Sequence, residues 1–560
     1  MSNPTVADYL ASRLADLGID RAFGVPGDYA FSFDDAIEAC PGMSWVLCAN
    51  ELNAAYAADG YARRFGAALL TTTYGVGELS ALNGIMGSRA HRLPVFHVVG
   101  APSRRIIRQG LITHHSLGDG DYDNFAAISA TAACVSTVLT PENAIEEINR
   151  VINKALRESM PAYIVVPMDY GKMPIIGTPQ KGKHLSEIRR QASNPKELEE
   201  AVEGLIAALE KAERPVALPS MHVARYGLKA KLESFITRAN IPFATTPMDK
   251  SVVSEAHPCY LGLYNGDFSS PLEVKPFVES ADLILDIGGF VPVELNTGFW
   301  SNNLPEDRVV AIHENWVQIG TKVWLGCAIE DVLDALISQT PRFQTLSSPV
   351  PPLGWLDLIG KDDDPTGSPT LYPRIQRMLR PGDIFVVETG SGMLHTNRMR
   401  LPAGVDNETQ TLWGSIGWAT PALMGMALAQ PERRLIAITG DGAHGMTLNE
   451  LSVMGRYDVK PIIFVLKNDI HGVEDVVGDL GHIFNVLPII EYHELPNAFG
   501  CKNWLTAKVS TVRELDDIIR KIESHDGAAY VAVMIPKEES QPLPEWRKDQ
   551  AYKVATPDSD

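Results

Sequence analysis

The chain is poor in cysteine and short of positive charge, and it has no long apolar run. Its six cysteines, at positions 40, 48, 134, 259, 327 and 501, form no Cys-x-x-Cys pair and no metal-ligand spacing. A disulfide framework and a zinc module are thereby excluded, and reduced thiols of a cytosolic protein are expected. Lysine and arginine number 49 against 69 aspartate and glutamate, a net charge of −20, and no basic cluster interrupts the acidic balance. Nucleic acid and anionic membrane surfaces are poor partners for such a chain. The longest apolar stretch, about residues 416–429, is broken by glycine and proline and falls short of a bilayer span. Residues 1–8 have neither a basic nor an apolar leader character, so a cytoplasmic protein without a membrane segment is expected.

What remains is a globular composition, 45% hydrophobic and 21% charged, on 560 residues. That is too long for a single core and predicts about three domains. Short apolar runs at residues 22–25, 45–48, 68–72, 95–99 and 163–166 alternate with helical patterns, which predicts a doubly wound parallel α/β sheet in residues 1–180. A polar stretch near residues 179–195 reads as a linker. A second alternating module, residues 181–345, has runs at 215–218, 283–287 and 309–312 and little evident chemistry. After a segment rich in proline, serine and aspartate, the third module, residues 346–560, has runs at 384–387, 435–439, 462–466 and 530–534. No short-period repeat is visible, yet the first and third modules can share an architecture without sharing sequence.

The third module carries the most informative pattern: Leu435-Ile-Ala-Ile-Thr439, then Gly440-Asp441-Gly442, and later Ile462-Ile-Phe-Val-Leu466, then Lys467-Asn468-Asp469. Thr447 to Glu450 has capping-box spacing and opens a helical stretch through Met454. A right-handed strand, helix, strand unit brings the carboxyl ends of its two strands to one sheet edge, so Asp441 and Asn468 are expected side by side. A carboxylate and an amide oxygen there suit a hard divalent ion that completes its shell with water and phosphate oxygens. The flanking glycines let a phosphate approach the backbone N–H groups. Alone, the pattern also describes an ordinary turn after a strand.

Other residues have both a bland and a chemical reading. Glu51 follows a strand and opens an alanine-rich helix, where a carboxylate also complements the helix dipole. Asp28 sits in a Pro-Gly-Asp turn. His114 and His115 are adjacent, so they converge on one site only from an irregular loop, which Gly110, Gly118 and Gly120 can provide. Glu474 follows Asn468 by six residues, on what should be the next helix. Gly75-x-Gly77 begins like a dinucleotide fingerprint but lacks the third glycine, so a nicotinamide site is not expected.

From about Val6 to about Pro536 the chain resembles the thiamine diphosphate-dependent 2-oxo acid decarboxylases, meaning the pyruvate, indolepyruvate, phenylpyruvate and branched-chain enzymes. Val25-Pro26-Gly27-Asp28, Asn50-Glu51-Leu52-Asn53, His114-His115-Ser116-Leu117-Gly118, Leu412-Trp413-Gly414-Ser415-Ile416, Gly440-Asp441-Gly442 and Glu474 stand in that family's order. The resemblance implies a pyrimidine-binding first domain and a diphosphate-binding third domain. It also implies thiamine diphosphate and Mg2+ as cofactors, Glu51 as the acid that helps the cofactor form its ylid, and Asp28, His114, His115 and Glu474 as groups that move protons. Ile416 becomes a wedge that bends the cofactor, and Val76 packs on its pyrimidine. Thr389, Gly390, Gly414, Gly442 and Ala443 contact it, while Asp441, Asn468 and the backbone oxygen of Ile470 hold the metal. The reaction implied is non-oxidative decarboxylation of a 2-oxo acid to an aldehyde, in a homodimer or homotetramer with sites at the interface.

Several positions depart from the family pattern. Ala443-His444-Gly445 follows Gly-Asp-Gly, placing a histidine beside the expected diphosphate, and Lys467-Asn468-Asp469-Ile470-His471 replaces Asn-Asn-Asp-Gly-Tyr. An isoleucine at 470 is tolerable only if its φ is negative. His91 replaces an acid common in the pyruvate enzymes. Gly472 and Val473 reduce bulk next to Glu474, and Met393, with Leu394 beside it, partly refills the space, so substrates larger than pyruvate are expected. Two other readings stay open: a carboligase of the acetolactate synthase type, against which the histidine pair argues, and a catalytically silent binding or assembly protein.

Overall fold

Residues 3–188, 192–344, 350–472, 482–537 and 539 are described by a computed structural model of the chain. The first sheet contains Arg21–Gly24, Ser44–Leu47, Ala68–Thr73, Val95–Ala101, Val135–Val138 and Ala162–Pro167, in spatial order 2-1-3-4-6-5 and parallel throughout. The third contains Ile384–Val387, Asp406–Thr409, Leu435–Gly440, Ile462–Lys467, Leu505–Val509 and Ala529–Met534, in the same relative order and also parallel. The two modules therefore share one topology strand for strand. Their central strands are buried along their whole length, which is why those segments read as unbroken apolar runs rather than alternating ones.

The middle sheet has seven strands, with Pro215–Pro219 and Leu283–Ile287 paired at its centre and an antiparallel meander, Val309–Ile312, Trp316–Ile319 and Lys322–Leu325, at one edge. No helix among the described residues is long and apolar enough to cross a membrane.

Glu51–Phe65 and Ala419–Ala429 are equivalent helices, each following the second strand of its sheet, and they pack against one another. The second is apolar on every side, as befits a helix buried between two sheets. Contact is at backbone distance. A Cβ at Gly60 would lie 2.0 Å from the Ala422 carbonyl oxygen, and one at Gly425 would lie 1.8 Å from that of Ala57. One hydrophobic cluster consequently spans both modules, from Phe23, Tyr56 and Tyr61 to Trp418, Leu423 and Tyr530.

A buried polar network joins all three modules. Asp59 accepts from Arg63 Nε at 2.7 Å, from Trp418 Nε1 at 2.8 Å and from Ser88 Oγ at 2.9 Å. Arg63 and Arg225, from the first and middle modules, converge on Glu408 of the third at 3.0 and 3.2 Å. Burial alone would raise the Glu408 carboxyl, but Arg225, Arg63 and Arg64 outweigh it and hold the group down to about 2.

One local expectation is corrected. Thr447 caps no helix: its hydroxyl donates to the Gly417 carbonyl at 2.8 Å, and the helix begins later, at Glu450–Arg456. Glu450, read as a capping partner, turns instead into the first module.

Candidate active site

In a parallel sheet the loops after each strand meet at one edge, and the first module's candidates all lie on such loops. Asp28 follows Arg21–Gly24, Glu51 follows Ser44–Leu47, Val76 follows Ala68–Thr73, and the two histidines follow Val95–Ala101. Asn50 caps the Glu51 helix, its side chain accepting from Asn53 N at 2.8 Å. A Cβ at Gly77 would sit 3.2 Å from Glu51 Oε1, so the carboxylate faces the start of helix Val76–Ala90. His114 Nε2 lies 3.0 Å from Asp28 Oδ2, and the ligand-type atoms of Asp28, His114 and His115 all fall within 4.8 Å of one another. The irregular loop is real: Gly110, Gly118 and Gly120 have φ of 61°, 77° and 80°, and His115 itself adopts φ 62°, a strained backbone for a residue with a side chain.

The third module repeats the arrangement. Asp441 follows Leu435–Gly440, and Asn468 follows Ile462–Lys467, which pairs with it so that Gly440 faces Leu466. The buried Asp441 carboxylate accepts backbone N–H groups from Gly442 at 3.0 Å, Asn468 at 3.1 Å and Asp469 at 2.8 Å. Burial nonetheless raises its carboxyl above the ordinary range, with Asp469 nearby adding to the effect. A hard cation would offset both the burial and the neighbouring charge, so the donor set suits Mg2+. Asn468 Oδ1, which receives the Ile470 N–H at 3.3 Å, and the Ile470 backbone oxygen are the other candidate ligands. Gly390, Gly414 and Gly440 open onto free space, whereas the missing side chain of Gly442 makes room for His471. Ala443 lies buried in the turn Asp441–Gly445.

Thr389 N donates to the buried Glu388 at 3.2 Å, and Ala419 N donates to its other oxygen at 3.1 Å. Glu388 thus ties the Thr389–Gly390 loop to the end of the segment that carries Ile416. Ile416 is half-exposed rather than core. Its neighbours reach the first module: Ser415 Oγ lies 2.5 Å from Tyr56 Oη, and Trp413 Nε1 donates to Asn83 Oδ1 at 2.8 Å. Met393 is buried, its sulfur accepting the hydroxyls of Thr409 and Thr411 at 3.7 and 3.5 Å, and Leu394 is half-buried. Glu474 and Val473 lie outside the described residues; Gly472 is the last described residue before them.

Two doubts raised by the sequence are resolved. His444 offers no exposed surface to a ligand. It is a fully buried core residue bracketed by Thr420 Oγ1 at 2.7 Å and Tyr530 Oη at 2.8 Å. The left-handed residue of the second loop is Asp469, with φ 60°, and Ile470 is spared that strain. Lys467 is buried and neutralised by Asp469 at 2.5 Å. His91 is fully buried with neither ring nitrogen partnered among the described residues; burial, then Arg63 and Arg225, keep it neutral.

The pattern reading overlooked three buried acids that shape the site. Glu78 accepts from Gly75 N at 2.9 Å and from Ser129 and Tyr163 at 2.8 Å each, which fixes the turn under Val76. Glu450 accepts from Asn53 Nδ2 at 2.8 Å and from Ala49 N at 3.2 Å, clamping the entry to the Glu51 helix from the third module. Glu388, pushed up to about 7 by burial, is the third. Glu78 and Glu388 adjoin Gly77 and Thr389 in sequence and Glu450 ends the Thr447 pattern, but nothing in a single sequence distinguishes a buried supporting acid from an exposed one.

Burial also holds His444 and His97 down to about 3 each. An unfolded histidine protonates near 6.5, so below that pH the unfolded chain binds more protons and stability falls until the folded groups titrate near 3. The expected loss is roughly 1 kcal/mol per pH unit for each of the two. Urea midpoints that stay level between pH 7.5 and 5.5 would contradict it.

The comparisons with known proteins meet this geometry. Three thiamine pyrophosphate enzyme family models match in order: the N-terminal TPP binding domain over residues 4–126, the central domain over 202–336 and the C-terminal TPP binding domain over 390–533. The class of protein is therefore that of the thiamine pyrophosphate enzymes. An alpha-keto-acid decarboxylase of Mycolicibacterium paratuberculosis is 35% identical over 536 residues, 95% of this chain and 94% of that protein. A pyruvate decarboxylase of Kluyveromyces lactis is 34% identical over 549 residues, 96% of each. The structure of a thiamine diphosphate-dependent 4-hydroxybenzoylformate decarboxylase of Rhodococcus jostii RHA1 superposes with a TM-score of 0.76 at 20% identity, covering 96% of this chain and 100% of that one. This chain belongs to the thiamine pyrophosphate-dependent 2-oxo acid decarboxylase family.

Proposed function

We propose that the protein converts a 2-oxo acid to an aldehyde and carbon dioxide without oxidation, using thiamine diphosphate held through Mg2+. The observation that carries this reading is the convergence of Asp28, His114 and His115 at the edge that also bears Glu51 and Val76. The names of the relatives support it. When bound, the cofactor supplies a carbon nucleophile and a sink for the electrons of the breaking carbon–carbon bond. Glu51 would exchange a proton with the cofactor's aminopyrimidine, and Val76 would pack on that ring. Asp441, Asn468 and the Ile470 carbonyl would hold the metal, and Thr389, Gly390, Gly414, Ile416, Gly442 and Ala443 would contact the cofactor. Asp28, His114, His115 and Glu474 handle the protons of substrate and product.

Large apolar side chains left exposed on both half-sites, among them Val76, Phe31, Ile112, Met446 and Trp413, support a second copy as the partner. The reading is a homodimer at least, and a homotetramer as the working form, in the cytoplasm. Domain limits are placed near residues 180 and 345, between the sheets. Substrates larger than pyruvate are expected from the small Gly472 and Val473 and the flexible Met393.

The test is direct. Purified protein with thiamine diphosphate, Mg2+ and a panel of 2-oxo acids is coupled to alcohol dehydrogenase. Aldehyde that depends on both cofactors supports the reading, and faster turnover of branched or aromatic acids than of pyruvate supports the pocket. Acetolactate without aldehyde would favour the carboligase instead.

A further inference from the structure

The loop after strand Val95–Ala101 brings two imidazoles to the carboxylate of Asp28. His114 Nε2 stands 3.0 Å from Asp28 Oδ2, and one ligand-type atom from each of Asp28, His114 and His115 lies within 4.8 Å of the other two. Among the described residues no other three histidine, cysteine, aspartate or glutamate side chains converge this closely. The two rings meet edge to face, with centroids 4.6 Å apart and planes at 78°. Two imidazoles on one tetrahedral ion, each with a metal–nitrogen bond of about 2 Å, likewise put their ring centres about 5 Å apart. His115 Nδ1 is buried with no hydrogen-bond partner among the described residues, and Tyr29 backs one face of the His114 ring at 4.9 Å and 16°.

We propose that Asp28, His114 and His115 bind a divalent ion of the zinc class, and that an ion held there arrests turnover. Ligand chemistry sets the choice of ion. Mg2+ takes oxygen ligands and keeps much of its water, whereas Zn2+ and Co2+ accept imidazole nitrogen beside a carboxylate. The chain therefore has two cation addresses of different character: oxygen donors at Asp441, Asn468 and Ile470, and a nitrogen-bearing trio on the first module. Ligand atoms of a tetrahedral ion stand about 3.3 Å apart, a spacing Asp28 and His114 nearly have, so a turn of the His115 side chain closes the trio. Binding replaces the proton between His114 Nε2 and Asp28 Oδ2 and releases it to water. Both of those side chains are about half exposed, which leaves the remaining coordination position to water. The arrest rests on the proton-moving roles given to the three residues above, whereas the binding does not.

Co2+ is the probe, because on imidazole ligands at low coordination number it absorbs visible light far more strongly than the hydrated ion. In cofactor-free protein with Mg2+ in large excess, added Co2+ should give a visible band that saturates at one ion per chain and is displaced by Zn2+. Asp28→Asn and His115→Gln should each weaken binding by at least about tenfold, while Asp441→Ala keeps the band. Asp28 is half exposed, so its substitution spares the core, and a far-ultraviolet circular dichroism spectrum matching the parent's checks that the variant is folded. No band, a band that survives both substitutions, or a band lost in Asp441→Ala overturns the proposal. In the cofactor-loaded enzyme with saturating Mg2+, Zn2+ should abolish release of carbon dioxide from the 2-oxo acid, and a zinc-selective chelator should restore it. Turnover left intact by Zn2+ while the band forms overturns the arrest. A parent enzyme that makes no aldehyde would instead refute the proposed reaction, and the cobalt spectrum would still decide about the ion.

Discussion

Asp441→Ala is expected to reduce kcat/KM at fixed thiamine diphosphate and Mg2+ by on the order of a thousandfold or more. Two losses combine. The carboxylate is the only charged member of the ligand set proposed for the metal, and a neutral loop gives a divalent cation little reason to shed its water. The same two oxygens also receive three backbone N–H groups from Gly442, Asn468 and Asp469, so removing them unties the turns after both strands. The thermal signature separates this from general damage. In the parent protein, cofactor and Mg2+ together should raise Tm because they bind only the folded state. In Asp441→Ala the protein alone should melt a few degrees lower, and adding cofactor with metal should produce no rise. An undiminished rise would show that the diphosphate is anchored elsewhere.

Glu51→Gln should have a kinetic effect of comparable size with the opposite binding signature. Loss of a positioned acid–base group costs about 100- to 10,000-fold, and glutamine fills the same space without exchanging the proton. Glu51 stands on the first module, facing Gly77, and has no part in the Asp441 turn. The rise in Tm on adding cofactor and metal should therefore be retained while kcat falls. Exchange of the cofactor's reactive carbon hydrogen for deuterium, followed in the absence of substrate, should slow in parallel with kcat. If exchange kept the parent rate while turnover collapsed, Glu51 would be serving a later step.

The buried parallel strands were the most legible part of the fold, because segments such as Ile462–Lys467 are covered on both faces and admit almost nothing but β-branched and apolar residues. The edge strand Asp406–Thr409 was invisible for the converse reason. Asp406 and Glu408 serve the charge network with Arg63, Arg64 and Arg225, and Asn407 and Thr409 between and after them are polar too, so it carries no apolar signature at all. In the site, Asp441 and Asn468 could be brought together from the strand, helix, strand pattern alone, and paired strands with Gly440 facing Leu466 now join them. His444 could not be placed that way. One residue of rotation along a short helical turn decides between the site and the core, and only Thr420 and Tyr530, distant in sequence, determine which.

The mutual seating of Gly60 against Ala422 and Gly425 against Ala57 limits how this molecule can move. Side chains normally lie between packed helices like bearings and let one slide on the other by changing rotamer. At these two crossings backbone rests on backbone, with no side chain between to repack. The first and third modules must travel as one rigid body, so a clamshell opening along their seam is foreclosed. Admission of substrate and escape of product then depend on parts at the rim of that body and not on a parting of the two modules.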